Sequence, residues 1–155
     1  MIIKTPTKYF FVAGASEGYS PLNAFDGALL DSGIGNLNLV KMSSIVPPRC
    51  IKISPCPIPA GSLVPVAYAS RSSDMQDEFI SAGVAAAFST DPDYPGLIME
   101  YSAQGRKQDV ETIVRHMAEQ GMLLRGQEVR EIQSISIEHR VRKIGAAFAG
   151  VVLWD

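Results

Sequence analysis

The segment Asn36–Pro48, with the sequence NLNLVKMSSIVPP, decides how this chain is interpreted. Its first half has the composition of a short strand, and it then reaches a pair of serines, Ser43 and Ser44. Two apolar residues and the pair Pro47-Pro48 follow, and prolines cannot continue a ladder of backbone hydrogen bonds. On its own the segment therefore predicts a strand that ends in a turn. A chemical role for the serines needs support from the rest of the chain.

The size and composition of the chain predict one globular domain. Its 155 residues are 46% hydrophobic and 19% charged, which is enough apolar material for a core. The net charge of −2 gives no electrostatic reason to expect nucleic acid or an anionic membrane as a partner. The longest uncharged runs, 79–90 and 144–154, are too short to span a bilayer. Because the N-terminus also lacks the features of a signal sequence, we expect a mature cytoplasmic protein without a membrane segment.

Cysteine and histidine usage predicts neither a metal centre nor a redox motif. Cys50 and Cys56 are separated by five residues, a spacing that fits no zinc or thioredoxin pattern. The chain has only two histidines, and neither has a partner at ligand spacing. We therefore expect no metal and two unpaired thiols, buried or half-buried. A disulfide between them stays open as an alternative.

Hydrophobic periodicity predicts two helices and many strands. One helix spans 21–31, with Ser20 as its cap and Pro21 at its first position, and the other spans 108–120 and ends at Gly121. Predicted strands cover 9–13, 35–43, 49–54, 63–71, 80–88, 96–102, 131–141 and 144–154. We expect 80–88 and 96–102 to pair as a hairpin, and Pro65 indicates an edge strand or a bulge. The predicted fold class is therefore α+β.

The reactive candidates are few, and each has an ordinary structural interpretation. The chain contains no G-x-S-x-G motif, and the glycine-rich loop 14–20 lacks the lysine and the spacing of a phosphate-binding loop. Asp26 lies beside the apolar face of the first helix and would by default be solvated. Glu100 follows apolar residues, so it lies either on a solvated face or in a partly dry pocket that favours its protonated form.

Four segments of the chain, taken in order, resemble the pyruvoyl-dependent arginine decarboxylase family. Asn38–Pro48 resembles the segment in which the members of this family cut themselves. The helix Asn23–Leu29 stands upstream at the spacing of the family, and Gly96–Tyr101 matches the strand that carries the family's acidic residue. The start of the chain, Pro6–Gly14, and the total length also match, so the resemblance covers nearly the whole sequence.

The resemblance implies that the chain cuts itself between Ser43 and Ser44. The Ser44 hydroxyl would attack the Ser43 carbonyl and turn the amide into an ester. Elimination would then release a β chain, 1–43, and leave dehydroalanine at the start of an α chain, 44–155. Hydrolysis would convert that residue into a covalent pyruvoyl group, and a strained, pre-aligned turn favours such chemistry. The ketone would serve as the electron sink for decarboxylation, so neither pyridoxal phosphate nor a metal is expected.

The same resemblance implies roles for three further residues. Glu100 would deliver a proton to the α-carbon after carbon dioxide leaves. Asn38 would polarise or position groups near the cleavage point, and Asp26 would bind a guanidinium through two parallel hydrogen bonds. The implied substrate is L-arginine, and the implied products are agmatine and CO2, as part of polyamine synthesis.

The architecture and assembly of the family are implied as well. Its fold is a single-domain, four-layer α/β/β/α sandwich, and cleaved protomers form a homotrimer with active sites between neighbours. Two alternatives stay open. One is a pyruvoyl-dependent decarboxylase of another amino acid, with a different pocket near Asp26. The other is an uncleaved, non-enzymatic binding protein of the same fold, in which Ser43 and Ser44 merely form a turn.

Overall fold

Residues 4–155, which the computed structural model describes, form two β-sheets and two α-helices, the mixed α+β class that the sequence predicts. In chain order the elements are β1 Lys8–Glu17, α1 Pro21–Asp31, β2 Asn38–Lys41, β3 Ile45–Val46, β4 Ile51–Lys52, β5 Leu63–Ser73, β6 Phe79–Ser89, β7 Gly96–Gln104, α2 Lys107–Leu124, β8 Val129–Arg140 and β9 Gly145–Trp154.

The first sheet holds five strands in the order β2-β5-β9-β1-β4. At its centre is β9, a strand rich in alanine and glycine that pairs antiparallel with β1 on one side and with β5 on the other. The two edge strands pair in parallel with their neighbours, β2 with β5 and β4 with β1. Every residue of β9 except Trp154 is buried. Small side chains are therefore needed along this strand, because it is covered on both faces.

The second sheet holds four strands in the order β3-β7-β6-β8, and all of its pairs are antiparallel. The predicted hairpin is confirmed as β6 and β7, which pair from Ile80 opposite Gln104 to Ala87 opposite Leu97. The short strand β3 covers the start of β7, so the segment that follows the two serines forms one edge of this sheet.

Three apolar clusters hold these elements together. One lies between the sheets and includes Ala149 of β9 and Ile98 of β7. A second packs α1 on the other face of the first sheet, around Phe148. The third packs α2 on the second sheet, where Met122 of the helix meets Leu97 of β7. Alternate residues of β7 and β9 thus face opposite clusters, as the two-residue period of a strand requires.

The first helix begins and ends as predicted. The Ser20 hydroxyl accepts the N–H of Asn23 at 3.2 Å, and Gly33 just after the helix has a φ of +84°. The expected loop over 14–20 is wrong in its first half, because β1 continues to Glu17. Gly14 makes this continuation compatible with α1, since a Cβ there would lie 2.3 Å from the carbonyl oxygen of Ala28.

The second helix is longer than predicted, because it continues through Gly121 to Leu124. Gly121 is buried against β7, and a Cβ there would lie 2.3 Å from Cδ2 of Leu97. This glycine therefore allows close packing of helix on sheet, and the chain turns instead near Gly126, which has a φ of +67°. Neither helix in the described part of the chain is long and apolar enough to cross a membrane.

Several strand predictions need correction. The segments 35–43 and 49–54 form only the short strands β2 and β4. Pro65 does not mark an edge strand, because β5 lies between β2 and β9. The β5–β9 ladder begins one residue later, with Val66 opposite Val152, so the missing N–H of Pro65 removes no hydrogen bond from that ladder.

Candidate active site

The serine pair lies where the chain crosses from one sheet to the other. Strand β2 is an edge of the first sheet and ends at Lys41, while β3 is an edge of the second sheet and begins at Ile45. The Met42 N–H donates to the Val66 carbonyl of the first sheet at 3.1 Å. The carbonyl of Ser44 accepts the N–H of Ile98 of the second sheet at 2.7 Å. The Ser43–Ser44 peptide is thus tied on each side to a different sheet.

Strand β7 places Glu100 close to this crossing. Ile98, which binds the Ser44 carbonyl, contributes to the cluster between the sheets. Side chains two residues apart lie on the same face of a strand, so Glu100 also points into the space between the sheets, roughly 7 Å further along β7. The sequence separates Ser44 and Glu100 by more than fifty residues, and the β3–β7 pairing brings them together.

The carboxyl group of Glu100 has two different surroundings. Its Oε1 lies 3.1 Å from Nζ of Lys41, and the Glu100 side chain is 34% exposed. Its Oε2 is buried and has no hydrogen-bond partner among the described residues. Of the two settings that the sequence left open, the solvated face and the partly dry pocket, the surroundings of Glu100 are closer to the second, with a lysine ammonium as part of the pocket. A buried oxygen without a partner is costly unless another group binds it, which marks this atom as a place for a ligand or water.

Sequence reasoning missed two residues of this site, Lys41 and Tyr68. The Lys41 ammonium lies 4.5 Å from the centroid of the Tyr68 ring, within the range of a cation–π contact. The Tyr68 ring in turn packs on Phe148 and Phe25, with centroid distances of 5.2 and 6.1 Å. The one feature of the sequence that could have pointed to Lys41 is that it is a single charged residue in the otherwise uncharged segment before the serines. Its partners come from β5 and β7, which local patterns do not reveal.

A cavity of about 300 Å³ surrounds these groups. Residues 68–70 of β5 and 100–102 of β7 form its walls, and Lys41 lies at its side. The Ser102 hydroxyl donates to the Ser70 carbonyl at 3.2 Å and so links the two walls. This volume is at the lower end of the range for small-molecule pockets, and a free amino acid is a ligand of suitable size.

Asp26 lies on α1, outside this cavity, and its side chain is exposed. Its neighbour Phe25 packs against Tyr68, which lines the cavity. Within a single chain the structure does not bring Asp26 and Glu100 together.

Asn38 lies at the start of β2, at the opposite end of that strand from the serines. Its Nδ2 donates to the carbonyl of Gly61 at 2.9 Å, and its backbone N–H donates to Ser62 at the same distance. These bonds fix the loop before β5 beside β2. Asn38 does not line the cavity around Glu100.

A second acid–base pair lies outside the cavity and has a structural role. Glu17 Oε2 lies 2.6 Å from His139 Nε2, and its other oxygen accepts the backbone N–H of Lys143 at 2.7 Å. Burial opposes ionisation of Glu17, but the hydrogen bonds from His139 and from the backbone of Lys143 and Arg142 lower its pKa below the usual range. The pair ties the end of β1 to β8 and to the turn after it.

The described residues offer little other chemistry. Between residues 4 and 155 no group of three or more His, Cys, Asp or Glu side chains is placed to hold a metal ion. Cys50 and Cys56 are free thiols, each half-buried, and burial raises the pKa of the Cys50 thiol. A thiol of that kind is a poor nucleophile at neutral pH.

Comparison with known proteins agrees with this geometry. Residues 8–155 match the family model described as pyruvoyl-dependent arginine decarboxylase. The protein of that name from Methanocaldococcus jannaschii is 50% identical over 152 residues, which cover 97% of this chain and 92% of the relative. Those from Methanococcus maripaludis strain C7 and Pyrococcus abyssi are 48% and 43% identical, each over 97% of this chain and over 92% and 96% of their own lengths. The chain therefore belongs to the pyruvoyl-dependent arginine decarboxylase family.

Proposed function

We propose that this chain decarboxylates L-arginine to agmatine and CO2, after cutting itself between Ser43 and Ser44. The observation that carries the proposal is the crossing segment: the serine peptide is held between two sheets, and the Ser44 carbonyl is bound to the strand that presents Glu100. The family to which the chain belongs supplies the substrate and the reaction class.

The residues present fit a pyruvoyl group at position 44. Ser44 has the hydroxyl from which such a group is made, and it lies next to a strand that offers a buried carboxyl oxygen without a partner. When formed, the group supplies an electron sink for loss of carbon dioxide, as pyridoxal phosphate does in other enzymes. The remaining steps are performed by side chains of the protein.

Self-cleavage begins with the Ser44 hydroxyl as the nucleophile. Its oxygen attacks the carbonyl carbon of Ser43, and the peptide bond gives way to an ester. Loss of the Cα proton of residue 44, together with breaking of its Cβ–O bond, then frees the Ser43 carboxylate and leaves dehydroalanine. The imine tautomer of this residue reacts with water to give the ketone and release ammonia. The two fixed hydrogen bonds at Met42 and Ser44 support this assignment, because they hold both sides of the peptide while it reacts. The products are a β chain, 1–43, and an α chain, 44–155.

Glu100 is the proton donor in this proposal. It is the carboxyl group of the cavity, and its Oε2 is the atom that faces the interior without a partner. After carbon dioxide leaves, the substrate α-carbon takes a proton from this group.

Asp26 binds the guanidinium of the substrate, and it does so from a neighbouring protomer of a homotrimer. Its side chain does not line the cavity around Glu100 within one chain, which favours a contribution from a second copy. Leu22 and Leu30, one helical turn before and after it, are 75% and 56% exposed. An exposed apolar stripe around a carboxylate is suited to an interface between protomers, where that carboxylate would enter the next cavity.

Asn38 and the overall architecture complete the proposal. Asn38 positions β2 before the cleavage point through its bond to the Gly61 carbonyl. The three apolar clusters support a four-layer α/β/β/α sandwich of one domain, with α1 and α2 as its outer layers.

The test of the substrate assignment is Asp26→Asn, with Asp109→Asn as the matched control. Asp109 is an exposed aspartate in the first turn of α2, away from the cavity. We expect Asp26→Asn to remain fully cleaved and to lose arginine turnover, measured as agmatine by chromatography, while the control keeps both. Full arginine turnover in Asp26→Asn contradicts the guanidinium assignment. A cleaved parent enzyme that turns over a different amino acid instead contradicts the substrate.

A further inference from the structure

We propose that Lys41 is a positioning residue for Glu100: its ammonium holds one carboxyl oxygen and leaves the other oxygen free for the reaction. The proposal rests on the function proposed above for its catalytic meaning, but the ion pair itself is testable without that function. No role was assigned to this lysine by the sequence.

The geometry of the pair divides the carboxyl group into two ends. Nζ of Lys41 lies 3.1 Å from Oε1, while Oε2 is buried and unpaired. A carboxylate held at one oxygen has its second oxygen fixed in direction. Lys41 thus sets the direction of the group that delivers a proton in the proposed reaction.

Tyr68 holds Lys41 in place. A lysine side chain on an edge strand normally samples many rotamers, and fixing it has an entropic cost. Here the ammonium lies over the Tyr68 ring, and that ring is packed between Phe25 and Phe148. The packed ring therefore limits the positions open to the Lys41 ammonium.

Self-cleavage would place Lys41 and Glu100, the two members of the ion pair, on separate chains. Lys41 belongs to the segment 1–43 and Glu100 to the segment 44–155. Once the peptide between Ser43 and Ser44 is cut, no covalent bond links β2 to β3. The ion pair then connects the two chains beside the new terminus, and it keeps the end of the β chain close to the strand that carries the acid.

Lys41 is the only charged partner of Glu100 within ion-pair distance in the part of the chain that the structure describes. The other titratable side chains around the cavity are Tyr68 and Tyr101. A natural control exists at the opposite edge of the same sheet, where the ammonium of Lys52 lies 5.1 Å from the centroid of the Phe11 ring. Lys52 contacts an aromatic ring but does not pair with Glu100, so Lys52→Met removes a comparable lysine and leaves the surroundings of Glu100 unchanged.

The experiment uses the uncleaved Ser44→Ala chain labelled with carboxyl-13C glutamate, and it records the Glu100 carboxyl signal by NMR at pH 7. Glu100→Gln identifies the signal by its loss. Lys41→Met is expected to move this signal, because the ammonium that contacts Oε1 is removed. Lys52→Met is expected to leave it in place, and Lys41→Arg is expected to move it less than Lys41→Met does. If Lys41→Met does not fold, Lys41→Gln is read in the same way.

An unchanged signal in Lys41→Met, or an equal shift in Lys52→Met, overturns the proposal. In the cleavable chain, Lys41→Met should lower kcat for arginine on the order of tenfold with little change in KM, because Glu100 is no longer held in direction, and Lys41→Arg should restore most of the rate. An unchanged kcat in Lys41→Met, in an enzyme that decarboxylates arginine, overturns the positioning role. The NMR measurement does not need turnover, so a failure of the proposed function is distinguishable from a failure of the pair.

Discussion

Replacing Glu100 with glutamine should reduce the rate of decarboxylation far more than the stability of the fold. Glutamine keeps the shape of the side chain but has no proton of suitable acidity to deliver. Positioned acid–base groups typically contribute about 10²–10⁴-fold to a rate. We therefore expect kcat for arginine to fall by that factor, which corresponds to roughly 3–5 kcal/mol of activation free energy.

The structure predicts a much smaller effect of Glu100→Gln on stability. The ion pair with Lys41 is partly exposed, at 34% for the glutamate and 52% for the lysine, and such pairs contribute about 1 kcal/mol or less. Because Oε2 has no hydrogen-bond partner, the substitution breaks no further bond. For a chain of this length a change of that size moves Tm by about 2–4 °C. The increase in activation free energy should thus exceed the loss of folding free energy severalfold.

The assay combines three measurements on one preparation of Glu100→Gln. Agmatine formation gives kcat, thermal unfolding gives Tm, and the intact mass gives the fraction cleaved. Glu119→Gln, an exposed glutamate of α2, is the control and should match the parent protein. A fully cleaved Glu100→Gln enzyme with kcat within threefold of the parent refutes the proton-donor role. Loss of cleavage in place of loss of turnover would assign Glu100 to self-cleavage instead.

Three further predictions concern the scaffold. Gly14→Ala should destabilise the fold by about 2–3 kcal/mol in urea unfolding, because the new methyl group would meet the Ala28 carbonyl at 2.3 Å; an unchanged midpoint would contradict this close packing. Leu97→Ala, at a side chain that is 1% exposed, should cost about 2–5 kcal/mol in the same assay, and a loss below 1 kcal/mol would contradict its place in the α2 core. The lowered pKa of Glu17 means that its bonds stabilise the fold above the usual glutamate pKa of about 4.3, and that this contribution is lost as the pH falls through the lowered value. The stability difference between the parent and Glu17→Gln should therefore shrink between pH 6 and pH 3, whereas a constant difference would rule out this linkage to the His139 pair.

Local signals in the sequence predicted the elements whose limits are set locally. Ser20 and Pro21 fixed the start of α1, and the turn residues between 89 and 96 predicted the β6–β7 hairpin. The family resemblance is confirmed over residues 8–155. The predicted turn at the serines also corresponds to a real break, because no strand includes residues 42–44.

Features that depend on distant contacts were not predictable in this way. Glycine is typical of a helix end, but Gly121 lies within α2, where it allows the helix to pack closely on Leu97 of a distant strand. Proline is typical of an edge strand, but Pro65 lies in a strand inside the sheet. The β5–β9 ladder begins only at Val66, so Pro65 removes no hydrogen bond from it. The ion pair between Lys41 and Glu100 joins β2 to β7, two strands that are far apart in the sequence, so local patterns could not predict it.

Denatured intact mass of the purified protein tests whether the chain makes its own catalytic group at Ser44. We expect two masses, one for residues 1–43 ending in a free carboxylate and one for residues 44–155 beginning with a pyruvoyl group. The Ser44→Ala chain should give a single uncleaved mass. A single full-length mass for the parent chain, or equal cleavage of the parent and Ser44→Ala, would contradict self-cleavage at Ser44.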